Sequence, residues 1–274
     1  MIDAHAHLTD PRFADDVDGV IHRASAAGIE RVLTCGEDVA SSERAIELAK
    51  RHPTVRVGVG VHPHRAATWS DAVAARLRAL ASDPRVVAIG EIGVDLSGRS
   101  APRDAQERAF AAQLALASDL GLPVVVHVRD AGDLARRIVD DVPWGGSASG
   151  ASAVRGMVHC YSEGPGEVAE WLGRGFALSF AGTVTYPKNT TLRAAAAATP
   201  ADALLAETDA PYLAPQRRRG ERNEPAFVLE TLAALAEAQG IPPGVLAERI
   251  WANAGRLFGA RWLGGTAQRG AAST

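Results

Sequence analysis

The feature that most limits the fold of this chain is a regular alternation of short apolar runs with longer helical stretches. Eight runs are rich in β-branched and other apolar residues, which is typical of strands that are buried on both faces. Between them lie stretches such as residues 104–121, in which apolar residues recur at three- and four-residue steps up to Gly121. The predicted strands are 2–7, 31–36, 55–62, 86–93, 123–128, 155–162, 176–184 and 204–212.

Strands that alternate with helices form a parallel sheet, which is either a closed barrel or an open doubly wound sheet. Eight such units in 274 residues favour a (β/α)8 TIM barrel, which typically needs about 250 residues. The open sheet is the alternative, but no G-x-G-x-x-G motif follows the first strand. We therefore predict an α/β TIM barrel in which residues 1–263 form a single domain, and we expect residues 264–274 to be a disordered tail.

Composition limits the partners and the compartment. The formal net charge is -3, so contacts with phosphates must be local rather than driven by an overall positive field. The two cysteines, Cys35 and Cys160, have no C-x-x-C spacing, which favours a reducing compartment. No run approaches the ~20 apolar residues of a membrane-spanning helix, and no segment resembles a signal peptide. We expect a cytoplasmic protein with no membrane association and no obligate protein partner.

Polar side chains lie at the carboxyl ends of the predicted strands, where barrel enzymes have their active sites. His5 and His7 end the first strand, and because strand residues alternate between faces, both rings can point to the barrel axis. Six of the eight histidines fall at such ends. The polar residues at these positions are His5, His7, His62, His64, Glu91, His127, His159 and Asp209.

Any one of these residues alone is more often structural than functional, but together they indicate a metal site. Four imidazoles and two carboxylates would be costly to bury unless a divalent cation neutralised and ordered them. Six ligands are too many for one catalytic zinc site and suit two ions bridged by a carboxylate. Zn²⁺, Mn²⁺ and Mg²⁺ all remain compatible. The predicted metal ligands are His5, His7, Glu91, His127, His159 and Asp209.

The bridge is predicted to be Glu91 rather than a carboxylated lysine. The chain has only two lysines, of which Lys50 lies on a predicted helix and Lys188 follows the seventh strand. Neither is at the end of the fourth strand, where Glu91 stands.

The ordered motifs of the chain resemble those of the TatD-type metal-dependent deoxyribonucleases, a branch of the amidohydrolase superfamily. They run from IDAHAHL through GVHPH, GEIGVD, PVVVHVRDA, VHCYSEG, SFAGTVT, ETDAPYLAP and RRRGERNEP to NAGRLFG. The resemblance implies that His5, His7 and Asp209 hold one metal, that His127 and His159 hold the other, and that Glu91 bridges them.

Two stretches depart from the family pattern. The family usually has an aromatic pair after GEIGVD, where this chain has Leu96, Ser97 and Gly98, and we expect this change to alter the pocket floor and substrate choice. A Gly/Ser-rich insertion at 144–152 precedes the sixth strand, so it is predicted on the face opposite the site.

Together with the predicted metal ligands, the family resemblance implies phosphodiester hydrolysis, with 3′-to-5′ exonuclease activity on single-stranded DNA ends or nucleotides and with RNA as a further substrate. The predicted catalytic residues are Glu91 and Asp209, the latter as a metal ligand that accepts a proton from the attacking water. Glu224 is expected to orient an arginine of the QRRRGERNEP loop. The predicted phosphate contacts are His62, His64, Arg129 and Arg222.

Two alternatives remain at this point. The same centre could hydrolyse a small amide, an ester or an aminoacyl-tRNA linkage, because fold and ligands do not separate attack on carbon from attack on phosphorus. A non-catalytic binding protein would be expected to have lost a ligand, and none is missing from the sequence.

Overall fold

The computed structural model describes residues 1–98, 101–144 and 155–264. Within these residues the chain forms an eight-stranded sheet in which the strands are parallel and follow one another in sequence order. The strands are β1 (Ile2–Ala6), β2 (Arg31–Cys35), β3 (Val55–Val59), β4 (Val86–Asp95), β5 (Val124–Arg129), β6 (Gly156–Val158), β7 (Phe176–Phe180) and β8 (Leu204–Ala206).

The sheet closes on itself where the segment after β8 meets β1. A parallel bridge joins Ala6 to Ala210. The backbone N–H of His7 donates to the Ala210 carbonyl at 2.7 Å, and the N–H of Asp209 donates to the His5 carbonyl at 3.0 Å. The predicted TIM barrel is therefore confirmed, and the open sheet is excluded, because its first and last strands would not meet.

Helices connect the strands and cover the outside of the barrel with their apolar faces. The helix predicted to end at Gly121 does so, because α4 ends at Leu120 and Gly121 adopts a left-handed conformation with φ 62°. The helices are α1 (Val17–Ala26), α2 (Val39–Arg51), α3 (Asp71–Leu80), α4 (Arg103–Leu120), α5 (Gly132–Asp141), α6 (Val168–Gly173), α7 (Thr190–Ala198), α8 (Val228–Gln239) and α9 (Pro243–Leu263).

β4 lies close to β5, and a glycine makes this approach possible. Gly93 pairs with His127 and has a φ of +144°. A Cβ atom at this position would lie 1.9 Å from the carbonyl oxygen of His127, so no other residue fits. Glu91 and His127 are thereby brought to neighbouring positions on the inside of the barrel.

Several strands end earlier than the sequence predicted, β6 and β8 among them. β6 ends at Val158 rather than at 162, and β8 ends at Ala206 rather than at 212. In both cases a non-glycine residue with positive φ follows, Cys160 at 45° and Asp209 at 55°. A left-handed residue cannot continue a strand, and such strained conformations cluster at functional sites. His159 and Asp209 therefore lie in the turns beyond the strands.

Asp3 ties β1 to the segment after β8. Its side chain is fully buried and accepts hydrogen bonds from the backbone N–H of Thr208 at 2.9 Å and from the Thr208 hydroxyl at 2.6 Å. We expect Asp3→Ala to lower the free energy of unfolding by about 1–3 kcal/mol, because it leaves buried donors unpaired. Urea denaturation would measure this loss. Asp3→Asn, which keeps an acceptor, should lose less, and equal losses in the two variants would contradict the assignment.

Two expectations concern segments that the structure does not describe. The Gly/Ser-rich insertion lies outside the described residues beyond Trp144, and the expected disordered tail lies outside them beyond Gly264. Among the residues that are described, none of the helices combines the length and the apolar character needed to span a membrane.

Candidate metal centre

The seam of the barrel brings the first three predicted ligands together. His5 lies in β1 and His7 one residue beyond it, and their Nε2 atoms are 3.2 Å apart. Oδ1 of Asp209 lies 3.6 Å from Nε2 of His5 and 3.4 Å from Nε2 of His7. Since the backbone of the Asp209 turn is hydrogen-bonded to both histidine segments, closing the barrel is what sets these distances.

Oε2 of Glu91 completes this first cluster. It lies 3.4 Å from Nε2 of both His5 and His7. Four ligand atoms placed 2.0–2.1 Å from a tetrahedral zinc ion are separated by about 3.3 Å, which is close to the spacing seen here. Oε2 of Glu91 is also buried and has no hydrogen-bond partner among the described residues. The donor set and its orphaned carboxylate oxygen therefore fit a divalent cation.

A second cluster forms around Oε1 of the same carboxylate. This atom lies 2.7 Å from Nε2 of His159, 2.9 Å from Nδ1 of His127 and 3.2 Å from Nε2 of His62. Nδ1 of His127 and Nε2 of His159 are 3.1 Å apart. Glu91 therefore turns one oxygen to each cluster, which is the geometry expected of a bridging ligand.

His62 donates a hydrogen bond to Glu91, the predicted bridging ligand, because its tautomer is fixed. Its Nδ1 accepts the backbone N–H of His64 at 3.1 Å, so the neutral ring carries its proton on Nε2 and donates it to Glu91. Burial lowers the pKa of His62 to about 4, which keeps the ring neutral at physiological pH. His62 lies in the pocket wall as predicted for a substrate contact, but both ring nitrogens are engaged by the protein.

Electrostatics keep the two carboxylates ionised. Burial raises the pKa of Glu91, but the nearby imidazoles, His159 foremost, outweigh it and leave the pKa well below its ordinary value. Burial likewise raises the pKa of Asp209, but the hydrogen bond with His7 leaves it lowered. Burial lowers the pKa of His7, whereas Asp209 and Glu91 raise it to about 9. A cation bound at His7 must therefore displace a proton.

The centre lies at the base of a pocket of about 590 Å³, a volume typical of small-ligand sites. The pocket wall includes three of the four predicted phosphate contacts, His62, His64 and Arg129. Lys188, which follows β7, adds a second exposed positive charge. The positive charge at the mouth is therefore local, as the net charge of the chain requires.

The structure does not bring the fourth predicted contact, Arg222, to the pocket. Its guanidinium makes two hydrogen bonds with the Asp16 carboxylate, both 2.7 Å long, and lies over the Phe13 ring. Glu224 does not orient an arginine of its own loop either, since it binds Arg23 of α1 at 2.7 Å. Arg222 and Glu224 are instead held by partners from the other end of the chain, Asp16 just before α1 and Arg23 within α1.

Two buried carboxylates were missed by the sequence analysis. Oδ2 of Asp95 lies 3.3 Å from Nε2 of His127, and Oε1 of Glu207 lies 3.2 Å from Nδ1 of His159. For both residues, the sequence itself contained a feature that could have indicated their place in the site. Asp95 is four residues after Glu91 in one strand and thus on the same face, and Glu207 is two residues before Asp209.

Comparison with known proteins places these residues in a family context. A protein-family model described as TatD related DNase matches residues 2–259. The chain is 40% identical over 263 residues to the 3'-5' ssDNA/RNA exonuclease TatD of Cronobacter sakazakii, a match that covers 94% of this chain and 97% of that protein. It is 36% identical over 259 residues to the uncharacterized metal-dependent hydrolase YabD of Bacillus subtilis, with 94% and 98% covered.

The fold is similar to solved structures as well. The crystal structure of YJJV, a TatD homolog from Escherichia coli, matches with a TM-score of 0.86 and 29% identity, covering 94% of this chain and 97% of that chain. A TatD-family hydrolase from Entamoeba histolytica matches with a TM-score of 0.83 and 20% identity, covering 94% and 97%, and this second likeness concerns the fold alone.

Proposed function

The chain belongs to the TatD related DNase family, and we propose from this premise that it is a divalent-metal-dependent phosphodiesterase that removes nucleotides from the 3′ ends of single-stranded DNA and RNA. The observation that carries the proposal is the carboxylate of Glu91, which turns one oxygen to each of two imidazole clusters at the base of an open pocket. That arrangement suits hydrolysis of a phosphodiester with both the attacking and the leaving oxygen stabilised.

The donor atoms suit two divalent ions. His5, His7, Asp209 and Oε2 of Glu91 would hold one, and His127, His159 and Oε1 of Glu91 the other. Imidazole favours Zn²⁺, while the carboxylates also suit Mn²⁺ and Mg²⁺. When bound, such ions polarise phosphoryl oxygens and lower the pKa of water to near neutrality.

Asp209 is proposed as the proton acceptor for the attacking water. Its side chain lines the pocket and its lowered pKa keeps it ionised at neutral pH. Glu91, at 1% exposure, is shielded from solvent and has one oxygen facing each cluster. Arg129 and Lys188 place positive charge at the mouth, where a guanidinium and an ammonium can contact phosphate oxygens.

The shape and charge of the mouth favour a strand end over a duplex. Binding along duplex DNA depends on many phosphate contacts, whereas this acidic chain offers a small set of cations beside one pocket. Incubation with end-labelled single strands and Mg²⁺ or Mn²⁺ should release nucleotides stepwise from the 3′ end, and a chelator should stop the release. Release of internal fragments only, or activity on amides or esters without nuclease activity, would overturn the proposal.

We expect Arg129→Ala to raise KM for single-stranded DNA by about 10- to 100-fold, since a charge-assisted hydrogen bond contributes about 1.5–3 kcal/mol. Arg222→Ala is the matched control, because the structure places that guanidinium on Asp16 and not in the pocket. Steady-state kinetics with a labelled oligonucleotide would compare the two variants. Equal KM values for both would show that Arg129 makes no contact with the substrate.

We also propose that the protein acts in the cytoplasm. Cys35 and Cys160 are both unpaired in the structure, as expected in a reducing compartment. Fractionation of cells that express the tagged chain would test this location.

A further inference from the structure

The two clusters differ in what lies behind their imidazoles. In the second cluster the rings of His127 and His159 each turn one nitrogen to Oε1 of Glu91 and the opposite nitrogen to a buried carboxylate. His127 meets Glu91 through Nδ1 at 2.9 Å and Asp95 through Nε2 at 3.3 Å. His159 meets Glu91 through Nε2 at 2.7 Å and Glu207 through Nδ1 at 3.2 Å.

We propose that Asp95 and Glu207 are positioning residues that hold His127 and His159 ready as ligands and so set the affinity of the second cluster for its ion. The inference rests on the metal binding proposed above. A carboxylate that accepts the far N–H of a ring places the proton on that side and leaves the lone pair of the near nitrogen free for a cation.

The two carboxylates are themselves anchored. Oδ1 of Asp95 accepts hydrogen bonds from the backbone N–H of Ser97 at 2.8 Å and from its hydroxyl at 2.6 Å. Oε1 of Glu207 accepts the backbone N–H of Cys160 at 2.7 Å. Neither carboxylate can turn away without losing these bonds, so each fixes the orientation of its ring.

The first cluster has no such support. The Nδ1 atoms of His5 and His7 are buried and have no hydrogen-bond partner among the described residues. Asp209 brings a negative charge to this cluster directly, through an oxygen that faces the ring nitrogens. Loss of Asp95 or Glu207 should therefore affect one ion and spare the other.

Calorimetric titration of the metal-stripped full chain with Zn²⁺ would test the proposal. We expect two ions for the wild type. Glu207→Gln and Asp95→Asn should each bind one ion with unchanged affinity and the other about 10- to 100-fold more weakly. Glu163→Gln is the matched control, because this pocket carboxylate binds Arg136 and Trp171 and no imidazole. It should bind both ions as the wild type does.

Unchanged affinities in both variants, or equal weakening of both ions, would overturn the inference. If the buried amide of Glu207→Gln prevents folding, seen as loss of the thermal transition of the metal-free protein, Asp95→Asn still tests the same cluster from its other side. A wild-type chain that binds no ion would refute the proposed function itself and the inference with it.

A second feature of the pocket is the ring of Tyr212 at its mouth. Tyr212 lines the pocket, is 41% exposed, and has its ring centroid 5.8 Å from that of His7. The guanidinium of Arg12 lies 4.0 Å from the centre of the Tyr212 ring. Asp10 accepts two hydrogen bonds from the Arg12 side chain, at 2.9 and 2.8 Å, and one from the Tyr212 hydroxyl at 3.1 Å. The ring is therefore exposed and is in contact with Arg12 and Asp10.

We infer that Tyr212, with Arg12 behind it, is a stacking platform for the base of the terminal nucleotide, an inference that rests on the proposed nuclease function. Bases stack on tyrosine rings and on arginine planes with little regard to sequence. Among the described residues that line the pocket, Tyr212 is the one Phe, Tyr or Trp. Tyr212 lies beside the first cluster, where the scissile phosphate at the 3′ end of a strand would be held.

Oligonucleotides with a normal or an abasic 3′-terminal nucleotide would test this platform. Tyr212→Leu should raise KM for the normal end by about 5- to 100-fold and leave KM for the abasic end unchanged. Tyr212→Phe, which keeps the ring, should stay close to the wild type. Unchanged KM values in Tyr212→Leu, or equal increases for both ends, would overturn the inference. A wild type inactive on both substrates would instead refute the nuclease function.

Discussion

Replacement of Glu91 with alanine should abolish nearly all turnover while the barrel still folds. Both clusters lose an oxygen that faces them, so neither would retain the full set of ligand atoms needed to hold an ion. Loss of several kcal/mol of charge stabilisation corresponds to a fall in kcat of about 100- to 1,000-fold or more. The measurements are kcat on single-stranded DNA and the metal content of the purified protein.

The fold should tolerate this change because the imidazoles around Glu91 can become neutral once the carboxylate is gone. Circular dichroism and a thermal transition of the metal-free protein would establish that the variant is folded. Glu248→Ala, at an exposed position on α9, is the control for loss of a negative charge. A Glu91→Ala protein with two bound ions and wild-type kcat would contradict the assignment of Glu91 as the bridging ligand.

Replacement of Asp209 with asparagine should lower kcat by about 100- to 10,000-fold, the usual contribution of a general acid or base. Asparagine keeps the size of the side chain but cannot accept the proton of the attacking water. The variant should therefore depend on hydroxide from solution, so its kcat should rise with pH over a range in which the wild type has reached its plateau. A pH profile of kcat for both proteins measures this difference.

A second explanation for a low kcat is that Asp209 acts only as a ligand. In that case the variant would lose affinity for the first ion but keep a pH profile parallel to that of the wild type. Excess Zn²⁺ or Mn²⁺ would then restore its kcat. Parallel profiles together with rescue by metal would rule out the proton-acceptor role.

Much of the architecture could be predicted because it depends on local periodicity. The run ending in His5 and His7 alternates faces over a few residues, and the helix before Gly121 repeats over 18 residues. The ends of β6 and β8 could not be predicted, since a non-glycine residue with positive φ leaves no mark in composition. His159 and Asp209 were nevertheless assigned to the correct rim.

The polar partners outside the clusters were harder to predict. The arginine-rich loop after β8 suggested contact with phosphate. Arg222, however, forms an ion pair with Asp16, which lies near the opposite end of the chain. Glu207 was overlooked because a buried glutamate beside a metal-ligand candidate has no distinctive spacing. Ion pairs between residues far apart in the chain depend on which surfaces come into contact in the folded protein. The hydrophobic periodicity of the sequence does not contain that information.

The amino-acid sequence by itself determined the barrel and the set of side chains that reach its rim. Both follow from which face of a strand or helix each residue occupies, and that is a property of contiguous chain. Only the tertiary structure decided that Glu91 turns one oxygen to each cluster, that Asp95 and Glu207 stand behind the second cluster, and that Arg222 is bound elsewhere. The contacts of Glu91 with His5 and His7, and that of Arg222 with Asp16, form only after β1 meets the segment beyond β8, because closure of the barrel brings these distant charges within a few ångströms of each other.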